Sequence, residues 1–443
     1  MPKKRISNTK PVVLVAQPYT PIEGSHSERV YHLARHLSTR GYSLTIVTIR
    51  VGARYPQRGV EDEVLGVNVQ RTFPGVFHAI AHGGSHTRLP HTRASLDSSD
   101  VSASERPLRH AAVRHLLEGL KSFYQSSAVP DTYADWIPNA TLALLKHAAP
   151  DSVVISTSMP LSAHLATLAA KTVRNFRWIA DFGDPWLLDA SRPKRSWSQR
   201  LHKVLERSVV QHADALVFTT QRTADDYRAH YGEPVASKIH LARMGFDAEF
   251  KPARTSRFAR PTVFYGGSIT PENRSVAAVL EVANRLNDWD FIFAGQSVKV
   301  VADRIKGSRS ALPTNVHLIG WLNREDYGRV AAQASASIIL GNKNPQQVPG
   351  KVYQLIGLGA RILYIGAQPQ ETDEAWNICR PFGHWASNDA LSIINALELL
   401  QESSYPSLSQ SGAQASEYQW DRQLRLFEDL IEVVSENRPR PKK

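Results

Sequence analysis

Residues 337–367 read SIILGNKNPQQVPGKVYQLIGLGARILYIGA, and their pattern is strand, loop, helix, strand. Ser337 to Leu340 and Ile362 to Ile365 are short, apolar, β-branched runs. Between them Val352, Leu355, Ile356 and Leu358 recur at helical spacing, and Gly359 stops the helix. The loop Gly341 to Gly350 therefore leaves the carboxyl end of a strand and opens a helix. In an open parallel sheet that is where ligands bind, and the N–H groups of a helix start suit an anion such as a phosphate. Lys351, in the first helical turn, adds a point charge at the same place.

The same grammar recurs near the amino terminus. Pro11 to Ala16 is a buried-strand run, and the loop Gln17 to Gly24 follows it. The spacing predicts a helix over 25–39 with Val30, Leu33, Ala34 and Leu37 as its stripe and Gly41 beyond its end, then a strand over Leu44 to Ile49. Ser25 and Glu28 have the spacing of a capping box. Neither strand-to-helix loop carries G-x-G-x-x-G, which argues against an NAD-dependent enzyme.

At 443 residues the chain is long for one core, so two domains are expected. They are drawn at residues 1–250 and 251–416, with a final helix over about 417–436 returning to the first. Cys379 stands alone, which excludes intramolecular disulfides and a cysteine zinc cage and fits a reducing cytoplasm. No run approaches the ~20 apolar residues of a spanning helix. Pro11 to Ala16, behind Lys3, Lys4 and Arg5, is too short for the core of a signal peptide. Of the formal charge of +12, +4 lies in the first ten residues and +3 in the last eight, and 12 less 7 leaves +5 for the body. Basic tails are either solvated ends or a means of peripheral attachment to an anionic leaflet, at about 1 kcal/mol per basic residue. No nucleic-acid reading module is present, and the tails lack interleaved aromatics.

In order, the chain alternates poorly from Ile49 to Phe73, and Val76 to Arg109 reads as a long lid-like loop. Its His78, His82, His86 and His91 have no carboxylate partner at ligand spacing, so no metal is expected. Helices follow at Leu108 to Tyr124 and Trp136 to His147, and then Val153 to Thr157, a helix to Val173, and a strand Phe176 to Ala180. That strand ends in Asp181 and Asp184, carboxylates set by a glycine and a proline. They suit either a cleft or the cap of the next helix. Further helix–strand alternation closes the half near Phe246, Phe250 to Pro261 reads as a linker, and a fresh run of strands and helices begins at Thr262 with a tight Gly266-Gly267-Ser268 loop. The fold class is α/β, two Rossmann-like doubly wound halves.

The ordered set of local motifs resembles the retaining GT-B glycosyltransferases called family 4, which include lipopolysaccharide, capsule and mannosyl transferases. The set comprises the Gly24 loop, Pro130 through Trp136 and Pro138, WIADFGDPW from Trp178, HADALVFTT from His212 and MGFD from Met244. The resemblance covers nearly the whole chain. It implies two domains facing across a cleft and transfer of a sugar from a nucleoside diphosphate donor to a glycan, lipid-linked or small-molecule acceptor. It places the phosphates on the backbone at Gly24 and Ser25, on the Ser268 loop, on Arg274 and on Lys351, the last within a ValPro-x-Lys loop. It places the sugar at Gln346 and the ribose at Gln354. Asp184 would orient the acceptor hydroxyl, with Asp181 as its support or its alternative. The leaving phosphate would take the acceptor's proton, so neither a cofactor nor a metal is implied.

The chain departs from that pattern at the donor site. Glutamine stands at both 346 and 354, where the family has a glutamate pair, and Ser268 stands where arginine is usual. Glutamine both accepts and donates but lacks the charge that roughly doubles such a bond. Two rival classes follow: a GT-B sugar epimerase, for which only His26 offers a facing histidine, and a non-catalytic GT-B scaffold.

Overall fold

The computed structural model describes residues 10–22, 24–51, 64–77, 124, 127–189, 196–250, 256–307, 312–402 and 408–436. The four loop histidines, nearly all of the expected helix Leu108 to Tyr124 and most of both basic tails lie outside them. The described chain divides into two compact units. One comprises Met1–Phe218, Tyr227–His240 and Phe427–Lys443, and the other Thr219–Asp226 and Leu241–Leu426.

The first unit is built on a seven-stranded parallel sheet: β1 Pro11–Ala16, β2 Ser43–Ile49, β3 Asn68–Thr72, β4 Val153–Ser158, β5 Arg177–Phe182, β6 Ala215–Phe218 and β7 Ile239–Leu241. The strand order is β3-β2-β1-β4-β5-β6-β7, so the order reverses between β1 and β4. Val12 sits opposite Leu44 on one side and Val153 on the other, and both flanking strands are parallel to it. Helices α1 Ser25–Thr39, α2 Ile137–His147, α3 Ser162–Val173, α4 Ser196–His212 and α5 Gln221–Tyr231 make the crossovers. Because β1 and β4 are covered on both faces, their residues are almost all buried, which is why they read as unbroken apolar runs.

The second unit carries β8 Thr262–Gly266, β9 Asp290–Ala294, β10 Val316–Ile319, β11 Ala336–Leu340, β12 Ile362–Gly366 and β13 Gly383–Ser387, all parallel, in the order β10-β9-β8-β11-β12-β13. Its helices are α6 Ala277–Arg285, α7 Ser297–Gly307, α8 Arg324–Gln333, α9 Lys351–Leu358, α10 Glu374–Cys379, α11 Ala390–Glu402, α12 Leu408–Ser416 and α13 Trp420–Glu436. Helix α13 is shared: from Phe427 it belongs to the first unit, where Glu428 bonds His36 at 2.7 Å. Phe246, expected to close the first half, lies in the second unit's core with Tyr353, Leu355 and Ile356. Gly357 makes room for it, since a Cβ there would stand 2.4 Å from the Phe246 ring.

Two local expectations are corrected. Gly24, at φ 143°, caps α1, and Ser25 is the first helical residue, so no capping box forms. That φ lies where only glycine is unstrained, which moves the cap one residue upstream. The helix expected from Asn273 starts at Ala277, because Thr270 holds the amides of Asn273 and Arg274 in a turn at 2.9 and 2.8 Å.

Several of the quoted motifs are fastenings. Asp131 accepts from the backbone and hydroxyl of Ser162 and so fixes the start of α3. The Trp136 indole donates to Thr72 at 2.7 Å. Asp214 gathers the Trp178 amide, Lys171 and Arg177.

Candidate active site

In the first unit the reversal of strand order lies between β1 and β4, and ligands of open parallel sheets bind outside the carboxyl ends of strands at such a point. The loop leaving β1 ends at Gly24 and Ser25, both exposed, and the early amides of α1 have no acceptor within the helix. Gly183 follows β5 and passes close to this place. A Cβ there would meet the Ser158 carbonyl at 2.8 Å and the His26 ring at 3.1 Å. Asp184 comes next, about a quarter exposed, with His26 Nε2 3.6 Å from its carboxylate.

Asp181 is different. It belongs to β5 itself, is 0% exposed, and both of its oxygens are held by the Arg29 fork, Nε to Oδ2 at 2.9 Å and Nη2 to Oδ1 at 2.7 Å. A carboxylate enclosed in this way touches no acceptor. It ties the strand end, three residues before Asp184, to Arg29 of α1. Sequence reading passed over Arg29, although its position in the apolar stripe of α1, four residues before Leu33, is the signal that would have found it.

The loop from Asp184 is tied from behind. The Trp186 amide donates to Tyr227 Oη at 2.9 Å, and Tyr227 donates in turn to Glu206 at 2.9 Å. Glu206 also accepts from the Leu187 amide and the Tyr231 hydroxyl. Burial raises the Glu206 pKa, and these donors oppose the rise.

In the second unit the strand order reverses between β8 and β11, and the expected donor residues gather there. Gly267, at φ 155°, and Ser268 form the turn after β8. Arg274 reaches this turn, Nη1 donating to the Ser268 carbonyl at 3.0 Å and Nε to Asn342 at 2.7 Å. Among the described residues Arg274 pairs with no carboxylate. A Cβ on Gly267 would stand 3.9 Å from Lys351 Cε, so the two cations flank one turn.

Lys351 opens α9, lies 3.9 Å from the centre of the Tyr327 ring and donates to Gln354 Oε1 at 2.8 Å. Because Gln354 is neutral, it steadies the ammonium without cancelling its charge. The Val352 amide, which a phosphate would otherwise claim, is bonded to the Pro349 carbonyl at 3.0 Å. The side-chain cations therefore carry more of any anion contact than the helix start does.

The loop Gly341 to Gly350 is stitched by asparagines. Asn273 accepts from the Asn344 amide, Asn344 accepts from the Gln346 amide, and Asn342 donates to the Gln347 carbonyl, each at 3.0 Å. Gln346 is 7% exposed. Its Nε2 donates to Asp226 at 2.9 Å, and its Oε1 is buried with no partner. Trp321, beyond β10, was also passed over. It is 56% exposed, and a Cβ on Gly295, in the turn after β9, would lie 3.9 Å from its ring. Its signal is a large aromatic in a strand-to-helix loop. Among the described residues no group of three or more His, Cys, Asp or Glu is placed to hold a metal, and no helix is long and apolar enough to cross a membrane.

Solved structures share this architecture. Sucrose-phosphate synthase from Thermosynechococcus elongatus superposes with a TM-score of 0.64 at 10% identity, covering 96% of this chain and 99% of its own. A point mutant of S. aureus TarM, in complex with fondaparinux, alpha-GlcNAc-glycerol and UDP, gives 0.58 at 10% identity, with coverage of 96% and 100%. Anabaena HepE in complex with UDP-glucose gives 0.56 at 11% identity, with coverage of 96% and 97%. No curated protein matches in sequence. At such identities the superpositions establish the fold, which is that of the GT-B glycosyltransferases. The glycosyl transferase 4-like domain matches residues 24–245, half of the chain, and the protein belongs to that family of glycosyltransferases.

Proposed function

We propose that this protein is a retaining glycosyltransferase that moves a sugar from a nucleoside diphosphate donor to a glycan, lipid-linked or small-molecule acceptor. The observation that carries the reading is the pair of cations, Arg274 and Lys351, flanking the Gly267–Ser268 turn at the switch point of the second sheet. Negative charge develops on the leaving diphosphate, and fixed cations stabilise it as it forms. The UDP and UDP-glucose bound by the TarM and HepE structures fit that chemistry. Gln346 takes the sugar and Gln354 the ribose, while in the first unit Gly24 and Ser25 offer amides and Asp184 orients the acceptor hydroxyl. The leaving phosphate accepts the proton, so the reaction needs no metal or cofactor. A panel of UDP-glucose, UDP-GlcNAc, ADP-glucose and GDP-mannose tests the reading by release of free nucleotide and by the anomer of the product. If no donor is bound or cleaved, the protein is a scaffold, and an inverted anomer removes the retaining assignment.

Trp321 extends the reading to the base. An exposed indole beside the phosphate turn offers a stacking face, and base–aromatic stacking contributes ~1–3 kcal/mol. Trp321→Ala is expected to weaken UDP binding by about that amount and to leave pyrophosphate binding unchanged in calorimetry. Equal weakening of both ligands removes the base from this surface.

The basic tails extend it to localisation. We propose a cytoplasmic enzyme that visits the inner leaflet through charge alone. Deleting residues 1–10 and 436–443 is expected to abolish salt-sensitive sedimentation with anionic vesicles, because each residue contributes only about 1 kcal/mol and the sum holds the protein. Donor hydrolysis should persist. Full-length protein that never sediments would make the tails solvated ends.

A further inference from the structure

The side-chain oxygen of Gln346, Oε1, is a buried acceptor with no bond, and its surroundings explain which way it faces. The loop backbone on either side is fixed: the Gln346 backbone N–H donates to Asn344 Oδ1, and its backbone carbonyl accepts from the hydroxyls of Thr220 at 3.2 Å and Thr223 at 3.3 Å. Thr220 immediately precedes α5, Thr223 and Asp226 lie within it, and all three fall in the segment Thr219–Asp226 that belongs to the second unit. An amide is nearly symmetric in shape, so packing alone does not choose between its oxygen and its nitrogen. Asp226 makes the choice. An ionised carboxylate only accepts, so Gln346 must turn its NH2 to Asp226, and Oε1 is left on the opposite side. Asp226 is itself held by Arg222 at 3.1 Å, one turn earlier on α5.

We infer that Asp226 is the positioning residue that converts Gln346 into an acceptor-only reader of a donor-sugar hydroxyl. The inference rests on the nucleotide-sugar reading above. A buried acceptor gains most from a ligand O–H that donates to it, and a ligand group with only lone pairs gains nothing there. The resembling family puts the acid at position 346. Here the negative charge sits one bond behind, on Asp226, and the neutral amide relays it. Asp226 therefore belongs to specificity for the sugar, whereas Lys351 and Arg274 read the diphosphate.

The arrangement predicts that restoring the family residue alone is harmful. Q346E sets two carboxylates where one amide bond now lies. Like charges so close either repel or share a proton. D226N/Q346E reverses the pair, with the asparagine amide donating to the new carboxylate. The Michaelis constant for whichever donor of the panel is turned over, the affinity for its free nucleoside diphosphate and the melting temperature should be measured for Q346E, D226N and the double variant. Q346E should raise the Michaelis constant by about tenfold or more with nearly unchanged affinity for the free diphosphate. The double variant should recover most of that loss. A Q346E variant as good as the native protein, or a double variant no better than Q346E, overturns the inference. Should the native protein cleave no donor, the functional reading falls by itself. The pairing is then judged by melting temperature, which Q346E lowers and D226N/Q346E restores if the two side chains act together.

Discussion

Replacing Arg29 by alanine should destabilise the first unit by about 3–5 kcal/mol, the range found when one partner of a buried ion pair is removed. Arg29 and Asp181 are both nearly inaccessible, at 2% and 0% side-chain exposure, and two bonds join them. Without the guanidinium, an ionised Asp181 stays inside the sheet with neither water nor a counter-charge. It must then bind a proton or open the strand end. The Arg29 side chain also packs over Phe427 at 5.7 Å, so its loss leaves a gap against α13 as well as a charge. A fall of roughly 10 °C in melting temperature is expected for a unit of this size. Calorimetric scans of R29A, D181L and R29M/D181L separate charge from packing. The double variant should be far closer to the native protein than either single change, because an apolar pair leaves no unpaired charge. A single variant that melts like the native protein would show the pair to be dispensable. R29A should also slow turnover beyond its effect on folding, because Asp181 anchors the strand that delivers Asp184.

The strands and helices at both switch points were legible because they obey strong local rules. Pro11–Ala16 coincides with the run read from the sequence, β11 and β12 agree with theirs to within a residue, and α1 spans the residues its periodicity gave. Edge strands were harder. Strand β3, Asn68–Thr72, is half exposed along its length, and β13, Gly383–Ser387, contains glycine and histidine, so neither has an apolar run to announce it. The loop Gly341 to Gly350 and the place of Lys351 at the start of α9 were legible because a strand-to-helix loop followed by lysine is a local signal. Asp181 was read as suiting a cleft or a helix cap, and its enclosure was not legible because its partner lies 152 residues away. No local pattern says that a carboxylate after an apolar run is enclosed. The Asp226 contact was invisible for the same reason, since 120 residues separate it from Gln346. Pairings of this kind are made by topology, and a sequence shows only the two halves.

At the donor site, Lys351→Ala should weaken nucleoside diphosphate binding by ~1.5–3 kcal/mol, the value of a hydrogen bond to a charged group. The ammonium sits at the first position of α9 beside the Gly267 turn, steadied by the Tyr327 ring and by Gln354. The Val352 amide is already bonded within the loop, so the cation is expected to have a large share of any phosphate contact. Lys351 is half-buried on a helix whose core face is formed by Val352, Leu355 and Ile356, and truncating it leaves those contacts in place. The melting temperature should therefore move little. Calorimetry with UDP and GDP at two salt concentrations measures the effect, and the lysine-dependent part should shrink as salt rises. Lys351→Met is the sharper control, because it keeps the apolar stem over Tyr327 and removes only the charge. Losses of equal size in K351A and K351M place the energy in the ammonium, while a loss confined to K351A places it in packing. Affinity unchanged in both would remove Lys351 from the site and leave Arg274, bonded to Ser268 and Asn342, as the cation that meets the phosphates.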